Sequence, residues 1–451
     1  MSADTPSWSE AELAARRRLA RRGQLLRDLT PNHLRSEVRR LAAKWSRRLQ
    51  RIDREVVSLE PEGPHRGDAL FSYILDPFLL RRARPRASAD EIEAAIPYSH
   101  THFWESWTMA RTFAALGRRV DCVSWTHGGF VPQRRYELVL DVRLNLERWA
   151  PRLGDETLKV LHLDTAHWSF HNPAQHARLT SLEQRRGVRL AGHKLLPETR
   201  AIETADVATV LGNRFTQGTY GFARTPLLHV PISVPRVYPD VEKDFDAVRR
   251  RFLWFGSGAL VHKGLDRVLE AFAGMPDLHL TVCGPVRRER DFEREYFHEL
   301  YRTPNIHTYG WIDVASPEFL ELARGTLGLV YPSCSEGGGG SVYTCMHAGL
   351  VPVVQREVSV DFDPSAGVLL DDVTVDGLRR AVRALSERPA GELEAMANAA
   401  RDGARRTRTK DAFRTGWRQV AERLLDGSWR DSPPPAPLAP DETTPPEADA
   451  A

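Results

Sequence analysis

Two successive series of short apolar strands and helices, the second restarting after a break, constrain this chain more than any other feature. Arg119–Trp125, Glu137–Asp141, Lys159–Leu163 and Val207–Leu211 read as strands, with a helix over Glu105–Leu116. After Arg236–Glu242 the pattern begins again with a strand at Phe252–Phe255 and a helix over Leu265–Phe272. Further strands follow at Leu278–Cys283, Ile306–Tyr309, Leu327–Val330 and Leu350–Val354. Alternation of this kind builds parallel sheets covered by helices, so the expected fold is α/β, with two Rossmann-like domains facing a cleft. Ligands in such sheets collect beyond the carboxyl ends of the strands. The expected units are a basic helical extension over 1–66, a first Rossmann-like domain over 67–240, a second over 241–427 and a tail over 428–451.

A chain of 451 residues has room for such a pair. No apolar run approaches the roughly 20 residues of a membrane-spanning helix, and Met1–Glu10 carries no signal-peptide core. Cys122, Cys283, Cys334 and Cys345 stand singly in apolar contexts, which fits reduced, buried thiols and a cytoplasmic protein. The net charge of +3 is unevenly spread, because Met1–Arg66 holds 15 basic against 9 acidic residues. Within it Leu34, Val38, Leu41, Trp45, Leu49, Ile52 and Val56 recur at helical spacing, with arginines on the other faces. Such a helix fits three surroundings: the neighbouring domain, a second subunit, or an anionic membrane surface at the inner face. The oligomeric state therefore stays open. No aromatic-interleaved basic motif accompanies the charge, which argues against nucleic acid as a partner. The tail from Ser428 to Ala451, rich in proline and acid, is expected to be disordered.

The segment Tyr331–Gly349 carries the clearest chemistry. An apolar run leads to Glu336, then to Gly337, Gly338, Gly339 and Gly340, then to a helical segment containing Ser341 and Thr344. Free backbone N–H groups and the helix dipole favour an anion at a helix N-terminus, and glycines let a phosphate approach. A carboxylate there accepts from hydroxyl groups, so a sugar joined to a phosphate is the expected ligand. A second concentration of polar and aromatic groups is His100, His102, Trp104 and Glu105 in the run HTHFWES. Stacking of an acceptor sugar on Trp104, or a plain helix start, both account for it. Two histidines without a third ligand argue against a metal site.

Residues 250–425 resemble the nucleotide-sugar-binding domain of the GT-B retaining glycosyltransferases of group 1, the family of glycogen synthases and bacterial mannosyltransferases. The likeness lies in Gly256, Lys263 and Gly264 within FGSGALVHKG, and in Ser335, Glu336, Gly337, Met346, Gly349, Pro352, Val353 and Val354. It implies metal-independent and cofactor-free transfer of a hexosyl group, with retention, from a UDP- or GDP-linked sugar to a glycan or glycolipid, as in polysaccharide biosynthesis. Glu336, Lys263 and His167 become the implied catalytic residues, with His167 at the end of the strand in KVLHLDTAH. Gly256, Ser257, Gly258, Gly337–Ser341 and Thr344 become the implied donor-binding set. Two positions depart from the family pattern: Ser257 stands where an arginine is usual, and Thr344 where a second glutamate is usual. Both lose charge, which leaves room for a catalytically weak protein that binds nucleotide sugar or a partner glycosyltransferase, or for a sugar-nucleotide epimerase.

Overall fold

The computed structural model describes residues 54–98, 100–439 and 442. Most of the apolar stripe expected between Leu34 and Val56 lies outside the described residues. Its last member, Val56, opens a strand instead of closing a helix.

The first sheet contains β1 (Val56–Leu59), β2 (Gly67–Tyr73), β3 (Arg118–Ser124), β4 (Leu138–Asp141), β5 (Leu158–Leu163), β6 (Val207–Val210) and β7 (Leu227–His229). Their spatial order is β1-β3-β2-β4-β5-β6-β7. Only β1 runs antiparallel, at the edge on β3, and its alternating exposed and buried residues mark a strand with one wet face. The interior strands are buried on both faces, which is why β4 and β6 read as mainly apolar runs without alternation. The order reverses between β2 and β4, so the loops that follow these two strands part and leave a crevice.

The second sheet holds β8 (Arg251–Phe255), β9 (His279–Cys283), β10 (Ile306–Gly310), β11 (Gly328–Tyr331), β12 (Val351–Val354) and β13 (Val368–Leu369). All its pairings are parallel, in the order β10-β9-β8-β11-β12-β13. Its switch point falls between β8 and β11, the two strands that carry the Gly256 loop and the Glu336 loop. Phe252, Trp254, Leu265, Val268 and Leu269 fill its core.

Two expected boundaries move. β1 belongs to the first domain, which therefore begins before residue 67. The last long helix, Lys410–Asp426, crosses back to the first domain, where Phe413, Trp417 and Leu424 are buried in its core. The Trp417 indole donates to the Met109 carbonyl at 3.1 Å. Residues 428–439, expected to be disordered, are packed: Leu227 N–H donates to Pro433 O at 3.2 Å, and Leu438 rests on the small cluster of Phe170, Phe215 and Cys334. Pro437 fits there because Gly221 has no side chain to meet it. Composition alone missed this packing, since a few prolines and one leucine suffice once a groove exists.

The lobes are joined by the helix Trp168–Arg186. Arg185 pairs with Asp266 at 2.7 Å and Glu270 at 2.9 Å, and Arg186 with Glu295 at 3.0 Å and Glu299 at 2.9 Å. Buried Arg178 donates to Pro332 O at 3.0 Å, at the foot of the Glu336 loop. Gly187 then ends the helix with φ at 70°, and residues 188–200 run along the cleft.

Candidate active site

The two switch points face each other across a cleft of about 600 Å³. On the second domain's side, β8 ends in Gly256, Ser257, Gly258 and Ala259. Gly256 lies on the Trp254 ring, 2.6 Å from where a Cβ would sit. The Glu289 carboxylate accepts from the N–H groups of Ala259 and Leu260, so the loop's free donors are partly engaged by the protein itself. The chain then turns through Lys263 to Gly264, whose φ of 72° and close approach to Pro332 exclude any larger residue.

Lys263 and Glu336 both line the cleft, and they touch. Lys263 Nζ lies 2.9 Å from Glu336 Oε1, and donates to the Tyr331 hydroxyl at 2.6 Å. Tyr331 and Ser333 hydroxyls donate to the same carboxylate oxygen at 3.0 and 2.9 Å. The other oxygen accepts from Lys194 Nζ at 2.9 Å. Burial alone would raise the Glu336 carboxyl, but the Lys194 and Lys263 ammonium groups outweigh it and hold the group well below the usual carboxylate range. The carboxylate is therefore a fixed anion at neutral pH.

The four glycines divide in a way spacing does not reveal. A Cβ on Gly337 would land on the Asp164 carbonyl of the opposite lobe, and one on Gly339, at φ 61°, would land on the Val360 side chain. These two serve close packing of the protein's own backbone. Gly340 opens the helix Gly340–His347, and a Cβ there would meet only Ile232 and Thr101 at ordinary distances. All four glycines, Ser341 and Thr344 line the cleft with Gly256, Ser257 and Gly258. The Thr344 hydroxyl donates to Gly340 O at 2.7 Å, one turn back in its own helix.

On the first domain's side the lining comes from strand ends. Buried Asp141 accepts from Arg143 N–H at 3.1 Å and Leu146 N–H at 2.9 Å, a turn that presents Arg143 to the cleft. Arg143 Nη1 pairs with Asp164 at 2.7 Å. His102 lies between two carboxylates, with Nε2 3.7 Å from Glu105 Oε2 and Nδ1 3.9 Å from Asp164 Oδ2. Burial holds its imidazole well below the ordinary value, and His100 is lowered for the same first cause. His100 caps the helix Thr101–Ala115 by accepting from His102 N–H at 3.2 Å, and it also lines the cleft. Glu105 lies behind this surface: Ser233 donates to Oε1 from both N–H and hydroxyl at 2.8 Å, and burial pushes its carboxyl up to about 7.

With Glu105 behind it, two more expected residues also do not line the cleft. Trp104 is 3% exposed, donates to Glu93 at 2.7 Å and packs on Phe413, because it falls on the core face of its helix, where the last helix docks. His167 caps the helix Trp168–Arg186, sharing a hydrogen bond with Ser169 at 2.7 Å and packing beside Tyr220 and Phe222. Burial lowers its imidazole to about 4. The end of β5 instead brings Asp164 and Thr165 to the cleft, three and two residues earlier. Asp164 and Arg143 had a usable signal, since each follows a strand read correctly from the sequence. Lys194 had none, because it lies in a segment without periodicity.

No family model matches the sequence, and neither does any curated protein. Solved structures do match. Sucrose-phosphate synthase from Thermosynechococcus elongatus is 14% identical with a TM-score of 0.52, over 80% of this chain and 100% of that one. A glycosyltransferase from Rickettsia africae is 8% identical with a TM-score of 0.50, over 80% of this chain and 99% of that one. TarM of S. aureus is 12% identical with a TM-score of 0.44, over 64% of this chain and 55% of that one, so this chain spans about half its length. At such identities the likeness is one of fold, and that fold is GT-B, the architecture expected from the sequence.

Proposed function

We propose that this protein is a retaining glycosyltransferase that moves a sugar from a nucleoside diphosphate sugar to a hydroxyl of a glycan or glycolipid. The observation that carries the reading is the Lys263–Glu336 pair, 2.9 Å apart at the switch point of a Rossmann sheet and beside a helix N-terminus. In the proposed reaction the bond from anomeric carbon to phosphate oxygen breaks, and its electron pair leaves with the diphosphate. The acceptor oxygen bonds to the same face of that carbon, and its proton passes to the departing phosphate oxygen. Lys263 and the N–H groups opening the helix at Gly340 supply countercharge to the diphosphate. Glu336, kept ionised by its two ammonium partners, accepts from sugar hydroxyls and fixes the ring. The acceptor enters from the first domain, where His100, His102, Arg143 and Asp164 offer donors and acceptors beside the exposed rings of Tyr98 and Trp125.

Incubating the full chain with UDP- and GDP-linked hexoses tests this. Release of nucleoside diphosphate that depends on an added glycan or glycolipid acceptor is the expected result, with an α-linked donor giving an α-linked product. No release with any donor and acceptor would reject it. A second reading, a GT-B protein that binds nucleotide sugar without turnover, draws support from the neutral Ser257 and the self-bonded Thr344 hydroxyl. Saturable binding with no product would favour that reading.

A further inference from the structure

Lys194 is the residue whose position asks for an explanation beyond packing. It comes from the first domain, yet its ammonium crosses the cleft to Glu336 of the second. Its main chain is held on both sides by the helix Trp168–Arg186. The His171 ring bonds Lys194 O at 2.6 Å, and Asn172 exchanges hydrogen bonds with the N–H and carbonyl of Leu196, each at 2.9 Å. His171 also reaches Ser335 at 3.0 Å, so the segment is registered against the Glu336 loop. A lysine fixed this way has little freedom left to lose on binding.

The charges around it do not cancel. Among the described residues lining the cleft, Lys194, Lys263 and Arg143 face only two carboxylates, Glu336 and Asp164. Arg143 and Asp164 pair with each other, which leaves Lys194 and Lys263 sharing the single charge of Glu336. One positive charge is left over beside a helix N-terminus, in the cleft that Ser257 also lines. A partly buried cation in excess is costly unless an anion joins it.

We infer that Lys194 supplies, from the opposite lobe, the second cation that holds the donor's diphosphate, in place of the arginine that Ser257 does not provide. The inference rests on the proposed nucleotide-sugar reading and deepens it, for a phosphate-binding residue then lies in each lobe. Diphosphate binding would use the ammonium's remaining N–H donors as charge-assisted bonds, with Glu336 still bridging both lysines. The cleft would thereby accept an anion only when the lobes are together.

Calorimetric titration of the full chain with UDP, GDP, UMP and GMP tests this. For whichever diphosphate the wild type binds, Lys194→Met should raise Kd about tenfold or more, while the matching monophosphate changes less than about threefold. Lys194→Arg should stay within about threefold of the wild type. Adding Ser257→Arg to Lys194→Met should recover most of the loss, a rescue that a merely structural ion pair would not show. If Lys194→Met does not fold, Lys194→Gln, which can still donate to Glu336, carries the same comparison. An unchanged Kd, or equal weakening of mono- and diphosphate, overturns the inference while leaving the glycosyltransferase reading intact. A wild type that binds neither diphosphate overturns both.

Discussion

The two walls of the cleft solve opposite problems. On the second domain's wall every charged group is met by a partner: Glu336 has four donors, and Lys263 is held by Tyr331 and Glu336. The first domain's wall is left incomplete, with the Tyr73 hydroxyl and Thr165 Oγ1 buried without a hydrogen-bond partner. Buried polar atoms left this way cost stability, of order 1–3 kcal/mol each. One wall is assembled before the ligand comes, and the other carries unsatisfied groups that a polyhydroxyl ligand or water can meet. The difference fits a single recurrent donor on one side and a separately specified acceptor on the other.

The largest effect that would separate the walls comes from the glycine that touches both. Gly337→Ala puts a methyl group onto the Asp164 carbonyl, backbone against backbone, so the lobes must separate or the Glu336 loop must shift. An ångström of misplacement is enough for a loss of about 100-fold in turnover. Gly340→Ala, three residues on, meets only ordinary contacts and should keep the wild-type rate within about threefold by the same reasoning. Steady-state nucleoside diphosphate release from both variants, alongside thermal melts, reads the contrast. Equal losses would mean that the glycines act by lining the ligand, and the packing account of Gly337 would fall.

That division also marks what a sequence can disclose. The parallel strands were legible because burial on both faces makes them mainly apolar runs, and the loops after β8 and β11 followed from where those runs stop. The convergence of Lys263 and Glu336 follows from the same rule, since their loops leave adjacent strands at a switch point. The strands β1 and β2 gave no such reading: β1 is short and alternating, and β2 begins with a glycine in a charged stretch. The place of Lys194 at Glu336 depends on how one domain docks on the other, a relation no local pattern encodes, whereas Asp164 and Arg143 sit just beyond adjacent strands of one sheet. Trp104 and His167 misled because an aromatic or a histidine near a cleft reads the same whether it faces the ligand or the core.

A middle-sized effect sharpens the account of the unfinished wall. The Glu105 carboxyl ordinarily titrates near 4.5, and burial raises it to about 7 despite the two Ser233 bonds that favour the anion. Between those values the folded protein keeps a proton that the unfolded chain has released, so the group's contribution to stability is lost as pH rises through the window. Glu105→Gln keeps an acceptor for Ser233 and removes the titration. It should gain on the wild type from pH 4.5 to 7 and hold a constant advantage above, of about 3 kcal/mol at most. Urea unfolding at pH 5 and pH 8 reads it. A variant whose advantage does not grow with pH would mean that the carboxyl is not held protonated behind His102.

The smallest expected effect concerns a residue that lies near the cleft but outside its lining. His167 closes a helix end and packs beside Tyr220 and Phe222, with its ring nitrogen bonded to Ser169. Removing a capping side chain costs roughly 1 kcal/mol of stability. His167→Ala should therefore lower the unfolding midpoint slightly, while kcat/KM for the sugar donor stays within about threefold, since a loss of 1.4 kcal/mol in transition-state stabilisation would be tenfold. Donor kinetics measured well below the melting temperature make the separation. A tenfold fall in kcat at unchanged stability would bring His167 back to the reacting sugar, and the end of β5 would then serve the donor through its histidine as well as the acceptor through Asp164.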